Sequence, residues 1–290
     1  MTKERPTTVL EVLQSTTAYF KKRSIDNPRL NAELLLAHII RRKRIELYLE
    51  FERALDENEL APLRELVRRR AEGEPLQHLL GTVEFCGLTF LCDRRALVPR
   101  PETEELVELV ESKIENQCRS GSDKWKIVDV GTGSGVIALS LAKKFPEAHI
   151  FAVDVSEDAL SLAQENAARL DLTNRVQFRK NDLLENLDER FDLIVANLPY
   201  IAMQDRHTLS KEVLRDPEVA LFAGESGQEL IRKLIEQAQV HLMPSGLLAL
   251  EIGIGQAGSL SEFLAEKNYR DIESKSDYSG TTRFLFARYG

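Results

Sequence analysis

The sequence predicts an α/β protein with two parts: a doubly wound sheet domain preceded by a small helical bundle. Three observations predict it. Apolar runs of strand length alternate with helix-length segments through the C-terminal two thirds. A glycine-rich loop, Gly-Thr-Gly-Ser-Gly at 131–135, follows the first of those runs. The opening stretch carries helical periodicity and no strand-like run.

Taken in order, residues 7–23 place Val9, Leu13 and Phe20 on one helical face. Asn27-Pro28 opens a second helix with Leu30, Leu34, Leu35 and Ile39, Pro28 suiting a first-turn position. A third runs through Leu60, Leu63 and Leu66 to Ala71 and is stopped by Gly73 and Pro75. Short apolar runs over 83–98, broken by Gly87 and by Asp93-Arg94-Arg95, read as a β-hairpin. Strands are then expected near Ile127–Val130, Ile150–Val155, Val176–Phe178, Leu193–Ala196, Leu247–Ile252, Arg270–Ser274 and Arg283–Ala287. The first five are spaced for parallel pairing through helices; the last two, joined by Asp277–Gly280, for an antiparallel hairpin. The expected organisation is a helical domain over 1–80, a hairpin linker over 81–100 and a sheet domain over 101–290.

Composition narrows the class. A 43% hydrophobic and 30% charged chain is that of an ordinary globular protein. No apolar run approaches a membrane span, and MTKERPTTVL lacks the apolar core of a signal peptide, so a cytoplasmic protein without membrane contact is expected. Cys86, Cys92 and Cys118 form no CxxC pair and read as reduced thiols, and the five histidines show no HxxxH or HExxH spacing, so no metal site is expected. Residues 1–100 hold 18 Lys and Arg against 15 Asp and Glu, a net of +3; the remainder holds 21 against 32, a net of −11. So acidic a body argues against broad binding to nucleic-acid phosphates. The basic runs Arg41–Arg44 and Arg68–Arg70 read first as solvated helix ends and second as partner-docking patches.

The chemistry gathers at strand ends. Gly131, Thr132, Gly133, Ser134 and Gly135 form a turn that lets a ligand approach the backbone at a helix N-terminus. A dinucleotide fingerprint would place Gly or Ala at 136, but this chain has Val136, which crowds a pyrophosphate and not a ligand lacking phosphate. Asp154, ending the next strand, can accept from both hydroxyls of a ribose. Asp182 can meet an adenine amino group while Leu183 packs on its ring. The nucleoside that fits such a site is S-adenosylmethionine. A second glycine pattern, Gly253 to Gly258, matches GxGxxG but leaves only 32 residues after it, and is read as a turn into a helix.

Asn197-Leu198-Pro199-Tyr200 follows the fourth strand, beside the expected position of the ligand's methyl group. The Asn197 side-chain oxygen can accept from an –NH₂ group, and Pro199 holds Leu198 extended so that its carbonyl is a second acceptor. The Tyr200 ring offers a face to a planar group. Two acceptors and a ring describe a clamp for an amide or for the exocyclic amine of a base. The clamp alone leaves both open.

With these residues assembled, the chain closely resembles the bacterial glutamine N5-methyltransferases that modify peptide chain release factors. The resemblance rests on Asn27-Pro28-Arg29-Leu30, Ala32-Glu33-Leu34-Leu35, Glu74-Pro75-Leu76-Gln77-His78 and Val98-Pro99-Arg100-Pro101-Glu102-Thr103-Glu104. It continues through the glycine loop, Asp154, Asn197–Tyr200 and Leu221–Gly227. It implies a seven-stranded Rossmann-like S-adenosylmethionine-dependent methyltransferase domain and a helical domain that grips release factors 1 and 2, the target being the glutamine of their Gly-Gly-Gln loop. It also implies that Asn197, Pro199 and Tyr200 hold the glutamine amide, that Asn197 borders the cofactor, and that Arg100 and Glu102 shape the site wall. A monomer without direct nucleic-acid contact is expected. The family's usual motif is Asn-Pro-Pro-Tyr. Leu198 makes it Asn-Leu-Pro-Tyr, as in ribosomal RNA adenine dimethyltransferases, so adenine N6-methylation of ribosomal RNA is the alternative, and a non-catalytic cofactor-binding scaffold a third.

Overall fold

Thr8 starts the first helix with a reciprocal cap. Its hydroxyl accepts from the Glu11 N–H (3.3 Å) and the Glu11 carboxylate accepts from the Thr8 N–H (2.9 Å). The computed structural model describes residues 7–116 and 124–290, which divide into two units. Cys118, one of the three thiols read from the sequence, lies outside the described residues.

The first unit runs to Gly81 and also holds Ser210–Arg215. It contains α1 (Val9–Lys22), α2 (Pro28–Ile40), α3 (Glu57–Ala71) and the short α4 (Leu76–Leu80). Pro28 takes the first position of α2, and Asp56 caps α3 by accepting from the N–H groups of Asn58 and Glu59. Leu13, Phe20, Leu35, Leu36, Leu47 and Leu63 form its core; each such burial contributes about 1.5–3 kcal/mol. The sequence reading did not anticipate that Ser210–Arg215 belongs here. Buried Arg70 explains it: the guanidinium donates to Asn31 Oδ1 (2.7 Å), the Glu74 carbonyl (3.0 Å) and Glu212 Oε2 (2.7 Å). Arg70 is thus a structural tie, and Arg68 and Arg69 are neutralised by Glu65, Glu72 and Glu74. In the other basic run, Arg42 pairs with Glu50 and Arg44 with Glu33.

The second unit spans Thr82–Leu209 and Asp216–Gly290. It opens with the hairpin β1 (Thr82–Phe85) and β2 (Leu88–Leu91) and continues α5 (Pro101–Glu115), β3 (Lys126–Val130), α6 (Val136–Lys144), β4 (His149–Asp154) and α7 (Glu157–Arg169). It ends β5 (Val176–Lys180), β6 (Phe191–Asn197), α8 (Glu229–His241), β7 (Leu242–Glu251), α9 (Ala257–Glu266), β8 (Tyr269–Ser276) and β9 (Thr282–Tyr289). One seven-stranded sheet has the order β5-β4-β3-β6-β7-β9-β8, parallel except for β9. Apolar residues alternate between its faces: Leu193 and Val195 of β6 join the core with α5 and α6, while Ile194 and Ala196 join the core with α8 and α9. That two-sided burial is why β6 shows no polar alternation.

The hairpin is not a free linker. Phe85 and Phe90 enter the core with Leu106, Val107 and Val110 of α5. The buried Asn166 of α7 accepts from the Leu91 N–H (2.6 Å) and donates to the Leu91 carbonyl (3.2 Å) and the Ser134 carbonyl (2.9 Å). Among the described residues no helix is long and apolar enough to cross a membrane.

Candidate active site

In the sheet order, strands run outward from β3 in one direction and from β6 in the other. Ligands in open α/β sheets bind at such a switch point, beyond the carboxyl ends of the strands. Register pairs Val130 with Ala196, so the loop after β3 starts beside Asn197. A cavity of about 280 Å³ opens there, lined by Gly131–Ser134 of the glycine loop, Asp154, Asp182, Leu183, Asn197, Leu198, Pro199 and the junction residues Ala96, Pro99, Arg100 and Thr103.

The glycine loop is built for close approach. Gly131 adopts φ +73°, a conformation that favours glycine, and a Cβ there would also displace the end of the Leu198 side chain, 2.8 Å away. Behind the loop, fully buried Asp129 accepts from the Thr132 hydroxyl (2.6 Å) and the Ala138 N–H (3.1 Å); burial pushes its carboxyl up to about 7. Asp154 ties the loop from the front, its two oxygens accepting from the N–H groups of Gly133 and Ser156 (2.9 Å each), with burial raising its pKa. A carboxylate has about four acceptor directions, so both oxygens keep capacity for ligand hydroxyls. Asp182 and Leu183 line the same cavity, and one Asp182 oxygen accepts from Lys233 of α8 (2.8 Å).

On the other side of Gly131, Asn197 closes β6. Its amide nitrogen donates to the Thr103 hydroxyl (2.9 Å), which donates to Glu251 Oε2 (2.7 Å). Glu251 closes β7 in register with Asn197, and burial pushes its carboxyl up to about 7. The segment after Asn197 is held by Leu221–Gly224: the Ile201 N–H donates to the Leu221 carbonyl (3.1 Å) and the Ala223 N–H to the Ile201 carbonyl (3.0 Å). Buried Gln256 adds a tie, its amide donating to the carbonyls of Tyr200 and Gly227 (3.1 Å each). The glycine pattern at 253–258 is therefore a turn into α9 whose Gln256 braces the site segment.

Three residues expected at the site do not line the cavity. Gly135 is the left-handed entry to α6 (φ +84°), and a Cβ there would meet Ala163 at 3.0 Å; it lets α6 approach α7. The Tyr200 ring packs against the core containing α8 and α9, and burial pushes its phenol up to about 12. Glu102 acts electrostatically on Glu251 and Tyr200 without joining the wall. Arg100 does line it, anchored to buried Asp216 (2.6 Å). Sequence reasoning missed Thr103, Glu251 and Asp129 as site residues. The legible signal for two of them was an acid inside or ending an otherwise apolar strand, Ile127-Val128-Asp129-Val130 and Leu247–Glu251. Cys86 and Cys92 are free thiols that burial pushes up to about 12, well out of the reactive range. Among the described residues no cluster of His, Cys, Asp and Glu could hold a metal ion.

The residues fit a nucleoside with a cationic, phosphate-free tail. Asp154 and Asp182 supply acceptors, Leu183 an apolar wall, and the glycine loop a cradle that side chains would fill. Acids there would repel a phosphate and favour a sulfonium. The fold and this arrangement define an S-adenosylmethionine-dependent methyltransferase. Family models match at residues 11–81 (PrmC N-terminal domain) and 108–226 (Methyltransferase small domain). The chain is 39% identical to the release factor glutamine methyltransferase of Rhodopirellula baltica, over 97% of this chain and 96% of that protein. It is 38% identical to the one from Escherichia coli, over 91% and 93%. The catalytic domain of human Mettl16 in complex with an RNA hairpin shares the fold, with TM-score 0.58 and 15% identity over 81% of this chain and 82% of that one. The chain belongs to the release factor glutamine methyltransferase family.

Proposed function

We propose that this chain methylates the side-chain amide nitrogen of a release factor glutamine, the residue of the Gly-Gly-Gln loop. The observation that carries the reading is the fixed polarity of Asn197, whose amide nitrogen is engaged by Thr103 so that its oxygen is free to accept from an –NH₂ group. Near-full-length similarity to proteins named release factor glutamine methyltransferase supports an amide rather than an adenine as bearer of that group.

Bound S-adenosylmethionine supplies an electrophilic methyl group. Asp154, the loop Gly131–Ser134, Asp182 and Leu183 hold it. Asn197 Oδ1 and the Leu198 carbonyl orient the glutamine –NH₂, Pro199 keeping that carbonyl in place. An amide nitrogen is a weak nucleophile, so the residues contribute chiefly position and acceptors that favour loss of its proton. The N–CH₃ bond would form as the sulfonium S–CH₃ bond breaks, its electron pair staying on sulfur in a neutral thioether, and one N–H proton would leave to solvent. Tyr200 contributes through its backbone, braced by Gln256.

The test is labelled S-adenosylmethionine with purified release factor and, separately, ribosomal RNA, the label then being mapped by mass spectrometry. Label on the Gly-Gly-Gln glutamine is expected. Label confined to adenine would replace this reading with the alternative, and label on neither would leave a binding scaffold.

A further inference from the structure

We propose that Thr103 and Glu251 are positioning residues that fix which end of the Asn197 carboxamide faces the substrate. The inference rests on the amide-methylating function but concerns residues that function does not itself identify. Glu251 Oε2 accepts the single hydroxyl proton of Thr103 (2.7 Å), a role it fills as a carboxylate oxygen or as the carbonyl oxygen of the neutral acid. The hydroxyl oxygen is then left to accept, and Asn197 must turn its –NH₂ toward it (2.9 Å). Oδ1 is thereby directed away from the pair. Reversed, Asn197 would present hydrogens to a substrate group that also presents hydrogens, and the contact would be repulsive.

Glu251 is not explained as a stabilising ion pair. It is 2% exposed, and Arg283, the cation acting on it, ion-pairs with Asp277 at 3.7 Å. The polar groups around it are Thr103 and Glu102 of α5, Asn197 of β6, Tyr200 and Arg283. A buried acid with no cation hydrogen-bonded to it destabilises a fold, so a polar chain ending at Asn197 is its physical rationale. Register makes the chain rigid, because Asn197 and Glu251 are adjacent ends of two parallel strands in the middle of the sheet.

The experiment compares Thr103→Val, Thr103→Ser and Glu251→Gln with the unaltered protein. It reads methyl transfer to release factor, cofactor affinity by calorimetry and thermal stability. Thr103→Val keeps the shape and removes the acceptor; kcat should fall at least tenfold with the cofactor dissociation constant within threefold. Thr103→Ser should restore kcat to within threefold. Glu251→Gln should lower kcat about tenfold while the melting temperature does not fall, a pattern a merely structural carboxylate would not give. Values of kcat within twofold of the unaltered protein for both Thr103→Val and Glu251→Gln overturn the proposal, as does a Thr103→Ser variant no better than Thr103→Val. If the unaltered protein labels adenine instead, the function reading fails separately. The same ratios measured on that –NH₂ substrate then decide the positioning claim.

Discussion

Asn197 and Asp154 close the strands on either side of β3, and their bonds assign them different work. Asp154 ties the glycine loop through Gly133 while keeping acceptor capacity toward the cavity. Asn197 turns its amide nitrogen inward to the Thr103 hydroxyl, with Glu251 beside it as a second side-chain partner, and presents its oxygen outward. Asp154→Ala should therefore weaken cofactor binding about tenfold or more, the loss of at least one hydrogen bond to a charged group. Asn197→Ala should cut kcat by about 10²-fold or more, the scale seen when a preorganised polar contact is removed, and leave cofactor affinity little changed. Calorimetry and single-turnover rates check the split; the opposite pattern would exchange the two roles. Leu198, where the family's motif usually has proline, is 4% exposed and fills the space under Gly131. Its side chain packs under the loop at the seam between β3 and β6, and its backbone carbonyl can still accept.

At the scale of elements, the strands and helices were legible where periodicity met burial, and the ties between them were not. β6 could be read because both its faces are covered, leaving an uninterrupted apolar run. β7 starts at Leu242, earlier than its apolar run, because Met243-Pro244-Ser245-Gly246 reads as a turn and instead enters the strand through a register shift. Gly131, Asp154 and Asn197 were legible because each follows or ends an apolar strand. Thr103 and Glu251 were not, since their bond joins residues 148 apart in sequence. Asn166 is a similar case, a single polar side chain on α7 that satisfies the edge of β2 and the loop before α6. Asn166→Leu should leave the Leu91 N–H and carbonyl and the Ser134 carbonyl without this partner. A loss of roughly 2–4 kcal/mol is expected, at about 1–3 kcal/mol per unsatisfied buried group with partial relaxation. Urea unfolding measures it, and a change below about 0.5 kcal/mol would show that the hairpin is held by its other ties, Phe85 and Phe90 in the core and the Cys86 N–H on Glu104.

Across the whole chain, charge is distributed so that the sheet-bearing part is strongly acidic while its centre holds carboxyl groups that resist ionisation. Residues 101–290 carry a net −11, and Asp129 and Glu251 are pushed up to about 7 by burial. Withholding those charges limits self-repulsion near neutral pH. Each group binds its proton more tightly folded than unfolded, so its stabilising contribution is fully present below the unfolded value and is lost as pH rises through the folded one. For Glu251 the window runs from 4.5 to about 7. Glu251→Gln removes the titration, so the variant should gain on the unaltered protein through that window. The gain should be flat below pH 4.5 and level off above pH 7 at up to roughly 3 kcal/mol, from about 1.4 kcal/mol per pKa unit. The single tryptophan, Trp125, immediately precedes β3 and reports unfolding of the sheet-bearing unit without contribution from the helical one. Urea midpoints followed by its fluorescence between pH 4 and pH 8 give the comparison directly. A gap that instead narrows as pH rises would mean that Glu251 is held ionised, with Thr103 and Asn197 stabilising its charge by more than burial opposes it.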